Sequence, residues 1–301
     1  MKYIVILAII LWSCGSNETS PASDKTVYAA VAAAPKTDKQ INLTILLDLS
    51  DRIDPRTSPD NPQHFQKDSA LICYLTGHFL REMNSKGNYM AKGKMRLIFH
   101  PNPPDPSINE AAEKLNIDLS KMDTKGKKTV YDSLGHIVAE NIGNIYRSTI
   151  SQEKWPGSDI WRFFKNDVKE VAIDKDSSYR NILVIFTDGY IYHDDSKDEY
   201  GNRYAYILPK LFDRYQLRNN KNWLEQMDKL DFGLISKRSD LDQLEVLVLE
   251  ISPAPNHKND EDIISKIMEK WFSEMKVRKS TILNSDLPER TKQKIDNFLQ
   301  S

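Results

Sequence analysis

Few residues in this sequence could cross-link the fold, carry it through a membrane or give it a strong overall charge. Among 301 residues there are two cysteines, Cys14 and Cys73. One of them is accounted for below as a modification site, and a single remaining thiol excludes an internal disulfide framework. Cys73 lies in a helical apolar pattern and is expected to be a small buried hydrophobe. No apolar run approaches the roughly 20 residues that a membrane-spanning helix needs. Neither sign of charge dominates: 42 basic residues oppose 43 acidic ones, for a net charge of −1. That balance removes any global pull toward nucleic acid or anionic lipid. The six histidines are scattered without ligand spacing, which leaves a catalytic zinc site without support. Internal repeats, a glycine-rich phosphate cradle and a Ser-His-Asp nucleophile elbow are also missing.

The N-terminus reads as a targeting segment. Lys2 supplies a charge, Ile4 to Leu11 is a short apolar run, and Leu11-Trp12-Ser13-Cys14 follows. This layout is that of a secretory signal, and its end resembles a bacterial lipobox, with Trp12 bulkier than usual at its position. The resemblance implies a signal peptide at 1–13 and lipidation of Cys14, hence a membrane-anchored protein of the bacterial cell envelope on its periplasmic or surface face. Residues 14–40 are rich in Ser, Thr, Ala, Pro, Asn and Lys, too polar to offset the entropy of ordering, and read as a tether. Residues 41–301 are enough for one large domain.

Within that domain strand and helix patterns alternate. Ile41–Leu47, Met95–Phe99, Asn181–Thr187 and Leu244–Ile251 are strand candidates, and Thr281–Leu283 is a candidate edge strand. Helical spacing of apolar residues predicts helices over Gln63–Ser85, Val130–Tyr146, Trp223–Leu230 and Asp262–Met275. Shorter helices are expected at Asn109–Leu115 and Ile160–Phe164, and Pro288 opens a terminal one. A polar insertion occupies about 190–220. The alternation predicts an α/β fold, doubly wound, with a mainly parallel central sheet and helices on both faces.

Two of the strands end in acid. Ile41–Leu47 breaks into Asp48-Leu49-Ser50-Asp51-Arg52, and Asn181–Thr187 breaks into Asp188-Gly189. Open α/β sheets place their sites just beyond the carboxyl ends of their strands, so the two turns are candidates for one site.

The first turn resembles the opening of a von Willebrand factor A-type domain, whose metal-ion-dependent adhesion site begins Asp-x-Ser-x-Ser. Asp48 and Ser50 match the first two positions, and Asp188 in Phe186-Thr187-Asp188-Gly189 matches the family's later Asp. The resemblance spans about residues 41 to 285. It implies a Mg²⁺ site in which Asp48 and Asp188 supply charge and Ser50 a direct oxygen, since Mg²⁺ prefers oxygen ligands and keeps several waters. Two hydroxyls compete for the middle position. Thr129 lies in Lys127-Lys128-Thr129-Val130, and Ser158 lies beside Asp159 about 30 residues before Asp188, a spacing closer to the family's. Either hydroxyl is equally suited to capping a helix.

Arg52 stands where the family has its second Ser. A guanidinium has donors only and cannot ligate a cation. Pointing inward, it would take over the metal's charge by bridging Asp48 and Asp188. Pointing outward, it would leave Asp51 to recruit an altered site. The expectation is that metal binding is weakened or lost.

Aromatic residues crowd the insertion: Tyr190, Tyr192, Tyr200, Tyr204 and Tyr206. With Arg52, Asp159 and His193 they form a candidate ligand-recognising rim, since aromatics bury much area per side chain. His193, Asp194 and Asp195 are too close in sequence to converge readily on one ion. The function expected is therefore that of a non-enzymatic binding module for a protein or cell-surface ligand. The alternatives are a Mg²⁺-dependent phosphohydrolase using Asp48 as nucleophile, and a purely structural envelope lipoprotein. Haloacid-dehalogenase-like phosphohydrolases carry a second Asp where this chain has Ser50.

Overall fold

A computed structural model of the chain describes residues 38–301 apart from 153, 156, 219, 254–256 and 258. The expected signal peptide, Cys14 and nearly all of the expected tether lie outside the described residues. The strands are β1 (Gln40–Leu47), β2 (Lys94–Ile98), β3 (Ile117–Asp118), β4 (Tyr179–Phe186), β5 (Glu199–Tyr200), β6 (Arg203–Tyr204), β7 (Gly233–Leu234), β8 (Leu244–Ile251) and β9 (Lys279–Asn284). Six of them form the main sheet in the order β3-β2-β1-β4-β8-β9. All neighbours in it are parallel except the β2–β3 edge pair. This is the doubly wound α/β fold, and its strand order reverses between β1 and β4.

The alternation along β1 shows how the sheet is covered. Leu43, Ile45 and Leu47 join one buried core with α1 (His64–Ser85), α3 (Pro106–Glu113), α4 (Thr124–Ile150) and α10 (Pro288–Gln300). Leu46, on the opposite side, joins a second core. That core includes α5 (Ile160–Arg162), the wide turn Phe163–Asp167, α6 (Val168–Ala172) and α9 (Asp260–Glu274). Every residue of β1 and β8 is buried, as strands covered on both faces must be.

Three local expectations change. The α4 helix begins at Thr124, earlier than its apolar stripe, because the Asp123 carboxylate accepts the Gly126 N–H at 2.7 Å and caps a polar first turn. The helix expected at Ile160–Phe164 continues through the wide turn to Ala172. The insertion is folded: β5 pairs with β6 and β6 with β7, and α7 (Pro209–Arg214) and α8 (Trp223–Lys229) lie between β6 and β7 in the chain. Its Tyr204, Ala205, Ile207, Leu211 and Phe212 are buried in the second core. Cys73 is half-buried against the first core, and burial pushes its thiol above the usual range. At the amino end of the sheet, the short α2 (Gly87–Met90) leads into β2.

Candidate functional site at the carboxyl end of the sheet

The strand-order reversal brings the two acidic turns together. Asp48 follows β1 and donates its backbone N–H to the Phe186 carbonyl at 3.0 Å. Its side chain is 2 % exposed, with both oxygens engaged. Oδ1 accepts the Ser50 N–H at 2.9 Å, and Oδ2 accepts the Thr187 hydroxyl at 2.9 Å. Burial pushes the Asp48 carboxyl above its ordinary range, against the opposing charge of Arg52 and the bonds from Ser50 and Thr187.

Asp188 follows β4. Its Oδ1 accepts the Tyr190 N–H at 2.9 Å, and its carbonyl accepts the Ser252 N–H beyond β8. Burial and then the charge of Asp48 push its carboxyl up to about 7. Gly189 is required next to it. Its φ is +97°, and a Cβ there would lie 2.6 Å from Ile264 Cγ2 and 3.0 Å from Ile251 Cδ1.

The Gly157-Ser158 segment lies against this pair. Gly157 bridges to Leu49, and Ser158 bridges to Tyr192, so the Asp48 turn and the insertion flank Ser158. The Ser158 hydroxyl is buried and has no hydrogen-bond partner among the described residues. Thr129 is not part of the site. It is exposed, in the second turn of α4, and its hydroxyl donates to the Lys125 carbonyl at 3.2 Å. Two residues before it, Lys127 reaches the Tyr89 carbonyl at the opposite, amino end of the sheet.

Arg52 points inward but does not bridge the two aspartates. It lies on a single 3-10 turn, Asp51–Ile53, is 3 % exposed, and places Nη2 2.5 Å from Asp68 Oδ2 on α1. The Tyr146 hydroxyl of α4 donates to the same oxygen at 2.8 Å. Arg52 Nε and Nη1 have no partner among the described residues. Its charge is held firmly, because Asp68 and then Asp48 outweigh the opposing effect of burial. Asp51 is exposed, so the outward-arginine arrangement in which Asp51 joins the site is not the one adopted.

Next to this pair runs a second buried chain of polar groups. Lys67 Nζ is 2.7 Å from Asp60 Oδ2 and donates to the Ser285 hydroxyl at 2.9 Å. Ser285 in turn donates to Glu250 Oε2 at 2.6 Å. Glu250 is fully buried, sits at an irregularity of the β8–β9 pairing, and has φ +71°. Burial and then Asp68 push its carboxyl up to about 7.

The expected rim divides into anchors and exposed groups. Asp159 is 1 % exposed and works as a fastening. Its Oδ1 caps α5 by accepting the Arg162 N–H at 3.0 Å, and its Oδ2 accepts the Ser196 hydroxyl at 2.5 Å. His193 lies 3.6 Å from the same carboxylate. The Tyr190 hydroxyl donates to Asp260 Oδ2 at 2.8 Å, which ties the insertion to the first turn of α9. Tyr204 and Tyr206 are buried and leave the rim; Tyr192, 41 % exposed, is bridged to Ser158, whereas the exposed Tyr200 pairs with Arg203, whose guanidinium reaches Glu274 in the last turn of α9. Among the described residues no group of three or more His, Cys, Asp or Glu side chains is arranged to hold a metal. A cation site here would therefore combine two carboxylates with hydroxyls.

Asp68, Tyr146, Thr187 and Glu250 escaped the sequence reading. Asp68 carried a usable signal: it falls four residues before Ile72, on the buried stripe of α1, and a carboxylate on an apolar stripe demands a buried partner.

No protein-family model matches the chain, and no curated protein sequence matches it. Among solved structures, an aerotolerance-related membrane protein from Bacteroides fragilis is similar over 86% of this chain and 98% of its own, at 13% identity and a TM-score of 0.33. Similarity at that level says nothing about activity. The fold assignment rests on the strand order and register of the sheet itself.

Proposed function

We propose that this chain is a lipid-anchored binding module of the von Willebrand A type, which engages a protein or other cell-surface ligand through the carboxyl-end face of its sheet. One observation carries the reading: the charge of Arg52 is committed to Asp68, leaving Asp48 and Asp188 as a pair of carboxylates with raised pKa values beside the unpartnered hydroxyl of Ser158. Such a pair repels itself and is stabilised by a cation. The donor set fits Mg²⁺: Ser50, Ser158 and Asp188 as oxygen ligands, with Asp48 holding the first turn. Held by these residues, a Mg²⁺ ion would attract an acidic group of the partner. The nearby guanidinium opposes the ion, so binding is weaker than an Asp-x-Ser-x-Ser site would give.

Calorimetric titration of the purified chain with Mg²⁺ and Mn²⁺ tests this. Saturable heat is expected, lost in Asp48→Ala and reduced in Ser158→Ala. Absence of heat from either cation at millimolar concentration would remove the metal from the reading and leave the surface alone.

The enzymatic alternative places Asp48 as a nucleophile. The fixed bonds to both of its oxygens favour a holding role instead. Mg²⁺-dependent cleavage of a generic phosphomonoester, abolished in Asp48→Asn, would reverse that preference.

A further inference from the structure

We infer that the amino-end pole of the sheet, opposite the candidate site, is a membrane-docking face that settles on an anionic lipid surface with Tyr89 and Met90 inserted among the headgroups. The inference rests on the lipid-anchor part of the reading above and adds an orientation to it.

Tyr89 is 85 % exposed and Met90 57 % exposed, side by side at the end of α2. Each of the other exposed large apolar residues stands apart from this pair in sequence. Their backbone is firmly held, so the exposure belongs to a built feature. The Tyr89 carbonyl accepts Lys127 Nζ at 3.4 Å, the Met90 carbonyl accepts Gln40 Nε2 at 3.1 Å, and the Ala91 N–H donates to the Gly87 carbonyl at 3.0 Å. Tyrosine is suited to the boundary between headgroup and acyl chain, where one end of the ring is wet and the other apolar.

The second observation is where the chain joins the domain. Gln40, the first residue of β1, bonds Met90 through Nε2 and accepts the Lys92 N–H through Oε1 at 2.8 Å. Whatever precedes β1 is therefore attached at the edge of the Tyr89–Met90 patch. A lipid on Cys14 would keep this pole, more than any other, at a high effective concentration near the bilayer.

The third observation is charge. Around the patch stand the exposed Lys39, Lys92, Lys121, Lys125 and Lys128. The carboxylates at this pole include Asp38, Asp118, Asp123, Asp174 and Asp176. Asp118 lies 3.6 Å from Lys121 Nζ and Asp174 2.6 Å from Lys94 Nζ, so Lys39, Lys92, Lys125 and Lys128 are the exposed cations of this set with no ion pair among the described residues. Lys125 and Lys128, both exposed, occupy the start of α4, where the helix dipole favours acids and disfavours cations. Helix stability does not explain lysines there, whereas attraction to lipid phosphates does. The near-zero net charge of the whole chain conceals this local imbalance.

Docked this way, the domain turns Asp48, Asp188 and Tyr192 away from the bilayer, toward a partner. The test uses the full chain reconstituted into vesicles of phosphatidylcholine and phosphatidylglycerol. A nitroxide is attached at Tyr89→Cys or, separately, at Tyr192→Cys, both in a Cys73→Ala background. The label at 89 is expected to lose accessibility to an aqueous nickel chelate while that at 192 keeps it. The protection at 89 should disappear in high salt and in Lys121→Glu/Lys125→Glu/Lys128→Glu, whose sites are exposed and whose fold circular dichroism verifies. Equal aqueous accessibility at both positions in a chain that floats with the vesicles and carries lipid by mass overturns the docking face and leaves the anchor standing. A chain that carries no lipid and stays in solution with both labels wet overturns both. Protection at 89 that survives high salt and the triple lysine variant overturns the anionic surface as the docking partner.

Discussion

Arg52 and Asp68 form a buried ion pair, 2.5 Å from Nη2 to Oδ2, between the turn after β1 and helix α1. This pair decides what the acidic turns can do. It fixes the guanidinium inside the domain while leaving the Asp48–Asp188 pair without a bonded cation among the described residues.

Removing one member should be costly. Asp68→Ala leaves a buried guanidinium without its ionic partner and should destabilise the domain by about 3–5 kcal/mol in denaturant unfolding. The joint replacement Arg52→Met/Asp68→Leu should recover most of that loss, because it also removes the desolvated charge. A cost below about 1 kcal/mol for Asp68→Ala would show that the pair does not hold the turn.

Glu250 gives a pH signature. Its folded-state pKa, about 7, lies above its ordinary 4.5, so the folded protein holds a proton that the unfolded chain releases between these values. Its contribution is most favourable below about 4.5, declines as pH rises to 7, and is level above that. Buried His64 and His78, whose pKa values are lowered, titrate in the opposite sense. The difference between Glu250→Gln and the parent isolates the carboxyl. The variant should gain relative stability by up to about 3 kcal/mol between pH 4.5 and 7.5. A difference that stays constant over that range would contradict the shift.

Gly189 sets the position of Asp188. Gly189→Ala forces a Cβ onto Ile264 and Ile251 at positive φ, which should cost about 2–4 kcal/mol from strain and overpacking together. In an Ile264→Ala background, which carries its own cavity cost, the glycine substitution should cost less but not nothing, because the nearer clash is gone while the Ile251 contact and the dihedral remain. No cost at all in that background would mean that the backbone conformation carries none.

The insertion depends on Asp260. That carboxylate receives Arg218 at 2.8 and 2.6 Å through Nε and Nη2, and the Tyr190 hydroxyl at 2.8 Å. Asp260→Ala leaves a largely buried Arg218 with Asp213 as its remaining ion-pair partner among the described residues. It should accelerate proteolysis within 190–218 before the sheet itself unfolds. Cleavage that starts elsewhere in the chain would argue that the insertion is held chiefly by its apolar residues.

The frame of the fold was legible in the sequence because its signals are local. Continuous apolar runs marked β1, β4 and β8, and the stripe Ile263, Ile264, Ile267, Met268, Trp271, Phe272 marked α9. The site was half legible. Strand ends turning to Asp48 and Asp188 are a local pattern, and the strand-order reversal then brings them together. The choice between Thr129 and Ser158 needed the third dimension: both hydroxyls precede or open helical segments, but only Ser158 is bridged into the space beside Asp48. The insertion looked like a polar loop because its short strands carry few apolar residues. Tyr204 and Tyr206 are buried by a sheet of two-residue strands that no periodicity reveals.

The sequence by itself determined the alternation of strands and helices, the two acidic turns, and the presence of Arg52 beside the first of them, since each is written in neighbouring residues. Only the tertiary structure decided what Arg52 does. Its partner Asp68 lies sixteen positions away on α1, and its neighbour Tyr146 comes from α4. A buried charge takes the partner that packing brings within reach, and packing joins residues whose separation along the chain carries no record of the contact.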